Sequence, residues 1–151
     1  MASHKNSDQN DTFDLVRFVY AQEFIYEVAL SELRRGRKES HWMWFIFPQI
    51  DGLGSSPASK KYAIRSLDEA RAYLNHPVLG PRLLECCRAI LIVQGKSASE
   101  ILGYPDDLKL KSSMTLFALV ADSHTEFREV IEKYFGGEQD RRTMQLLNVQ
   151  S

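Results

Sequence analysis

Cysteine is scarce in this chain: there are two, Cys86 and Cys87, and they are adjacent. Neighbouring residues on a helix point in different directions, so the pair makes a poor disulfide and an incomplete metal site. Two free thiols fit a reducing compartment, and the expected location is cytoplasmic. No HExxH, Cys/His quartet or spaced carboxylate pair is present, so neither a metal nor a cofactor is implied. Long apolar runs are also missing. The longest wholly aliphatic stretch, Ala89 to Val93, is far too short to cross a bilayer, and the opening MASHKNSDQNDT has neither an apolar h-region nor a twin arginine. Charge of one sign is missing as well. Nineteen Lys and Arg face 20 Asp and Glu, a net charge of -1, which lacks the basic footprint of a nucleic-acid or anionic-membrane binder.

Alternating apolar and polar runs separated by hairpin signals are absent too, apart from the ambiguous WMWFIF and ILIV segments, and no repeat of 20 to 50 residues is visible. What is present has helical period. From Leu15 to Leu33 apolar residues recur every three or four positions, which predicts one helix stopped by Gly36. Ser66 with Glu69, Ser97 with Glu100 and Ser123 with Glu126 have the capping-box spacing and predict three helix starts. The first of these should break near His76 and Pro77, and the next run through LLECCRAILIVQ, apolar on most sides, to Gly95 as a central helix. A short helix is expected at SASEILG and a longer one after Tyr104-Pro105-Asp106. Another should stop at Gly136-Gly137, and a last one should be capped by Asp140. The expected fold class is all-α: an irregular multihelical single domain over residues 13–151, not a regular four-helix bundle, behind a disordered polar tail at residues 1–12.

One stretch resists a purely structural reading. In HWMWFIFPQIDGLGSS, residues 41–56, the side chains from Trp42 to Phe47 cannot all point inward from a short element, so one or two should line a cavity, an interface or the surface. An indole face can fill a core or stack on a ligand. After Pro48 and Gln49, the loop Asp51-Gly52-Leu53-Gly54-Ser55-Ser56 is either a plain surface turn or a concavity of backbone amides suited to an anion. It matches neither the P-loop nor the dinucleotide fingerprint. In KLKSSMTLF, Lys109 and Ser112 offer an ammonium and a hydroxyl, although helix serines by default bond back to the preceding turn. His41 is the histidine nearest the aromatic segment and carries a side chain suited to acid–base work.

The segments RFVYAQ, ELRRGRKESHWMWFIFPQIDGLGSS, SLDEARAYLNHPVLGPRLLE, KLKSSMTLF and YFGGEQDRRTMQLL resemble the bacterial family called domain of unknown function eighteen-ten, sometimes labelled calpastatin. The likeness runs from about Phe13 onward, and HWMWFIFPQ followed by GLG is its most specific part. It implies a small multihelical protein without an established activity; the calpastatin label implies calpain inhibition. The motif positions that are polar and not explained by packing are Gln22, Tyr26, His41, Gln49, Ser55, Ser56, Ser59, Tyr62, Arg65, Arg82, Lys109, Ser112, Ser113, Thr115 and Asp140.

Three functions are consistent with these residues. The first is a pocket for a small anionic, nucleotide-like ligand. Trp42 or Trp44 supplies a flat face there, Gln49, Gly52, Gly54, Ser55 and Ser56 the loop contacts, and Arg65, Arg82, Lys109 and Ser112 the charge and hydroxyl. The second is a hydrolase acting on an ADP-ribosyl or nucleotide compound, with His41 or Asp106 positioning a water. The third is a non-catalytic protein-interaction module whose aromatic segment is exposed.

Overall fold

The computed structural model describes residues 11–149. Among them are ten helices and no strand beyond an isolated parallel bridge between Ile50 and Ile64, an irregular all-α domain as expected. The helices are α1 (Val16–Gln22), α2 (Tyr26–Arg35), α3 (Met43–Ile46), α4 (Pro57–Lys61) and α5 (Leu67–Asn75) in the first half. The second half holds α6 (Leu79–Leu91), α7 (Ala98–Leu102), α8 (Asp106–Ala118), α9 (Glu126–Phe135) and α10 (Arg141–Leu146). None of these helices is long and apolar enough to cross a membrane. The polar tail expected at residues 1–12 lies outside the described residues except for Asp11 and Thr12. The Asp11 carboxylate accepts from the amides of Leu15 at 2.7 Å and Val16 at 3.0 Å, which supplies acceptors at the start of α1.

Two helices carry the core. α6 buries Leu79, Leu83, Leu84, Cys86, Cys87, Ala89 and Ile90 and packs on α2, α5 and α9, the central role its apolar circumference predicts. α8 buries an unbroken run from Ser112 to Phe117 and contacts α5, α7, α9 and α10. Both thiols are free and buried, and burial pushes that of Cys86 up to about 12, which leaves it protonated and inert.

Three expectations need correction, the first being that the central helix, expected to run to Gly95, ends at Leu91. The Leu15–Leu33 segment is two helices, broken at residues 23–25. Gln22 at the end of α1 is buried, its amide donating to the Phe45 carbonyl at 2.7 Å and the Tyr73 hydroxyl at 3.1 Å. Two residues later Phe24 is 90% exposed, so the apolar stripe is not one continuous face. The capping boxes also diverge. Ser97 and Glu100 form the reciprocal pair. Ser66 caps α5, but the carboxylate of Glu69 turns to the Arg65 amide and Arg17. Ser123 caps nothing: α9 starts after Thr125, and Glu126 pairs with Arg88 at 2.7 Å across to α6.

A buried carboxylate organises the turn before α3. Glu32 accepts from the Glu39 and Ser40 amides at 2.9 and 3.0 Å, the Ser40 hydroxyl at 2.6 Å and the Trp42 indole at 2.8 Å. Desolvation pushes its pKa up, but these four donors outweigh it and hold the carboxyl down at about 2, against an ordinary 4.5. A depressed pKa contributes stability that is present above the unfolded value and lost as pH falls through the folded one. At 1.36 kcal/mol per unit the contribution is on the order of 3 kcal/mol. Glu32→Gln lacks it at every pH. Urea unfolding at pH 7, 4 and 2.5 should therefore show a gap between wild type and variant that closes between pH 4.5 and 2; a gap independent of pH would contradict the assignment.

Candidate functional site

The aromatic segment divides by side. Trp42, Met43, Ile46 and Phe47 point inward and are fully or almost fully buried, whereas Trp44 and Phe45 remain partly accessible on the other side of the short α3. Past Pro48 the chain is pinned by two backbone bonds, from the Ile64 amide to the Gln49 carbonyl and from the Asp51 amide to the Ile64 carbonyl, both 2.8 Å. The loop that follows is shaped by its glycines. Gly52 has φ +105°, and a β-carbon added there would stand 3.2 Å from the Leu146 side chain of α10. At Gly54 a β-carbon would stand 2.5 Å from the Ser59 hydroxyl oxygen, so only glycine lets loop and α4 approach this closely. Ser56 caps α4, accepting from the Ser59 amide at 3.1 Å.

Between this loop and the paired α8 and α10 lies a cleft of about 290 Å³. Gln49, Leu53, Gly54 and Ser59 line one side; Pro105, Leu108, Lys109, Ser112, Asp140 and Arg142 line the other. A narrow crevice continues from it past Trp44, Gly52 and Tyr62, with only about 10 Å³ of free space. That is room for roughly one water.

Lys109 is the best-positioned cation of the cleft. Its ammonium sits 3.2 Å from Asp106 and 4.9 Å from the centre of the Trp44 ring. Asp106 is itself shared, with Lys38 at 2.9 Å, and Lys38 lies over Trp42 at 5.1 Å. Arg142 reaches the Gly52 carbonyl at 3.4 Å from α10. Behind them Ser112, Thr143 and Asp140 are joined by hydrogen bonds of 3.0 and 2.6 Å.

Of the residues selected from the sequence, Gln49, Gly54, Lys109 and Ser112 meet at the cleft, and Trp44 and Gly52 at its crevice. The others lie elsewhere. Trp42 is fully buried against Glu32. Ser55 is exposed outside the lining, and Ser56 is spent on the α4 cap. Arg65 projects into solvent while its amide bonds Glu69. Arg82 covers the Tyr26 ring at 4.8 Å and donates to Gln22 at 3.3 Å, in a separate polar cluster where the Tyr26 hydroxyl donates to Glu85. His41 is exposed and off the cleft, and Asp106 reaches it only through Lys109. Ser113, one residue from Ser112, is buried without a partner for its hydroxyl among the described residues.

Ser59 and Asp140 belong to the unexplained polar motif positions and do line the cleft. Leu53, Pro105, Leu108 and Arg142 carry no sequence signal of their own. Arg142 comes from a helix 90 residues beyond the loop it contacts, a pairing no local spacing encodes.

No curated protein matches this chain at a significant level. The chain is similar to the conserved hypothetical protein Rv1873 from Mycobacterium tuberculosis, known from its crystal structure: 58% identity, 93% of this chain and 100% of the other covered, TM-score 0.90. Neither that name nor the family description below assigns calpain inhibition or any other activity. Residues 12–147 match the family model described as "Protein of unknown function (DUF1810)", and the chain belongs to that family.

Proposed function

We propose that the cleft binds a small nucleotide-like or sugar-phosphate anion, with Lys109 and Arg142 facing its phosphate and Gln49 and Ser59 beside it. The observation that carries this reading is the placement of Lys109. Asp106 and the Trp44 face hold an ammonium, which is otherwise a flexible point charge, at the wall of a concave site that also receives a guanidinium. Trp44 serves here as a seat for Lys109 and not as a stacking platform, because the ammonium already occupies its ring and the crevice beside it is closed. Apolar contact for the rest of the ligand comes from Leu53, Pro105 and Leu108.

Thermal-shift measurements with millimolar AMP, ribose 5-phosphate and pyrophosphate should raise the melting temperature of the wild type. The shift should vanish in Lys109→Gln. No shift with any of the three anions would remove this reading. The hydrolytic alternative requires Asp140, rather than His41 or Asp106, to hold the attacking water, since Asp140 lines the cleft and those two do not. The interaction-module alternative draws on Tyr20 and Phe24, both strongly exposed, and not on the tryptophans.

A further inference from the structure

The hydroxyl and carboxylate groups at the back of the cleft are ordered head to tail, and that order restricts what a ligand can offer them. Thr143 Oγ1 has a single proton and gives it to Asp140 Oδ2 at 2.6 Å. The 3.0 Å contact between Ser112 Oγ and Thr143 Oγ1 must then use the proton of Ser112. Whatever part of a ligand reaches Ser112 meets lone pairs only. Asp140 is locked from two further sides. Its Oδ2 also accepts from the Thr143 amide at 2.9 Å, and its own amide donates to Thr115 Oγ1 at 2.8 Å, while the Thr115 hydroxyl donates to the Lys111 carbonyl. Among the described residues no donor meets the other carboxylate oxygen, Oδ1. Ser112, Thr115 and Thr143 are all buried, so reorienting this chain of protons means breaking bonds that water cannot replace.

The cleft therefore has two chemically opposite ends. Ser112 and Asp140 accept only, whereas Lys109 and Arg142 donate only. A bare phosphate satisfies the second pair and is repelled by Asp140. An ammonium satisfies the first pair but faces the two cations lining the same hollow. A neutral hydroxyl suits the acceptor end without either penalty. At about 290 Å³ the space is at the lower edge of the range for small-molecule sites, which favours one phosphorylated sugar unit over a dinucleotide.

From this we infer that the cleft selects a phosphorylated polyol or sugar, whose hydroxyls donate to Ser112 Oγ and Asp140 Oδ1 and whose phosphate faces Lys109 and Arg142. The inference rests on the anion-binding reading above and adds the requirement for a hydroxyl donor.

Titration calorimetry on the full chain separates the two. Glycerol 3-phosphate and n-propyl phosphate have the same three-carbon length and differ in two hydroxyls. The first should bind roughly tenfold tighter or more, the discrimination typical of a site whose buried polar groups are otherwise left unpaired. Ribose 5-phosphate should also outbind inorganic phosphate. Ser112→Ala should bring the glycerol 3-phosphate to n-propyl phosphate ratio to within about threefold, because one of the two acceptors is lost while Thr143 keeps its bond to Asp140. Equal wild-type affinity for the two three-carbon phosphates would overturn the hydroxyl requirement and leave the anion reading standing. Tighter binding of O-phosphoethanolamine than of glycerol 3-phosphate would overturn it in favour of an ammonium. Failure of every phosphate to bind at millimolar concentration would take down the anion reading and the inference together.

Discussion

Gly80→Ala should destabilise the protein by about 4 kcal/mol or more, at the extreme end of single substitutions. Gly80 lies in the first turn of α6, and a β-carbon there would stand 2.0 Å from the Leu74 carbonyl oxygen and 3.0 Å from the carbonyl carbon. Both obstacles are backbone, so no side chain can swing aside; α5 and α6 would have to separate. Local reasoning gives the opposite sign, because alanine in a helix interior is favoured over glycine by about 1 kcal/mol. Urea denaturation therefore discriminates cleanly. A midpoint equal to or above that of the wild type would mean that the two helices do not approach as closely as this.

Arg17→Ala should cost roughly 3 to 5 kcal/mol, the range for breaking a buried charge pair from one side. All five guanidinium donors are used. Nε bonds the Lys61 carbonyl at 2.8 Å, and Nη1 the carbonyls of Phe13 and Asp14 at 2.7 and 2.9 Å. Nη2 bonds the Ala63 carbonyl and Glu69, both at 2.8 Å. The plane also covers the Phe18 ring at 4.3 Å. Removing it strands a carboxylate that is 2% exposed, together with four carbonyls from two stretches of chain. Arg17→Lys should recover only part of the loss, since three donors on a flexible stem cannot replace a five-donor fork. The diagnostic comparison is the double variant Arg17→Ala with Glu69→Leu, which should be more stable than Arg17→Ala alone. If the double variant is the less stable of the two, the stranded charge is not the main cost.

These two residues mark where local pattern stops being informative. Arg17 sits in a helix of apolar period, and no local spacing marks its partners; only the fold brings Lys61, Ala63 and Glu69 around it. Gly80 carries no local signal; its meaning lies in the neighbouring backbone. The candidate site behaves in the same way. Gly54 and Lys109 are legible because a glycine-rich turn after an aromatic run, and a lysine beside serines, are unusual locally. Trp42 and Trp44 are indistinguishable in sequence, yet one is sealed against Glu32 and the other carries Lys109. A helix of four residues sends them to opposite sides, and the order of those sides depends on what packs beneath.

Helical period, caps and glycine stops are interactions within one or two turns, which is why the all-α class, the central helix and most helix ends follow from the chain alone. The break after Gln22 and the diversion of Glu69 and Glu126 from their caps depend on partners far away in the chain, and such partners can outcompete a cap worth about 1 kcal/mol. The cleft is a further step removed from local pattern. Its walls come from residues 49–59, α8 and α10, and the direction of each proton at its back depends on which hydroxyl lies against which, a matter of packing that spacing along the chain does not record.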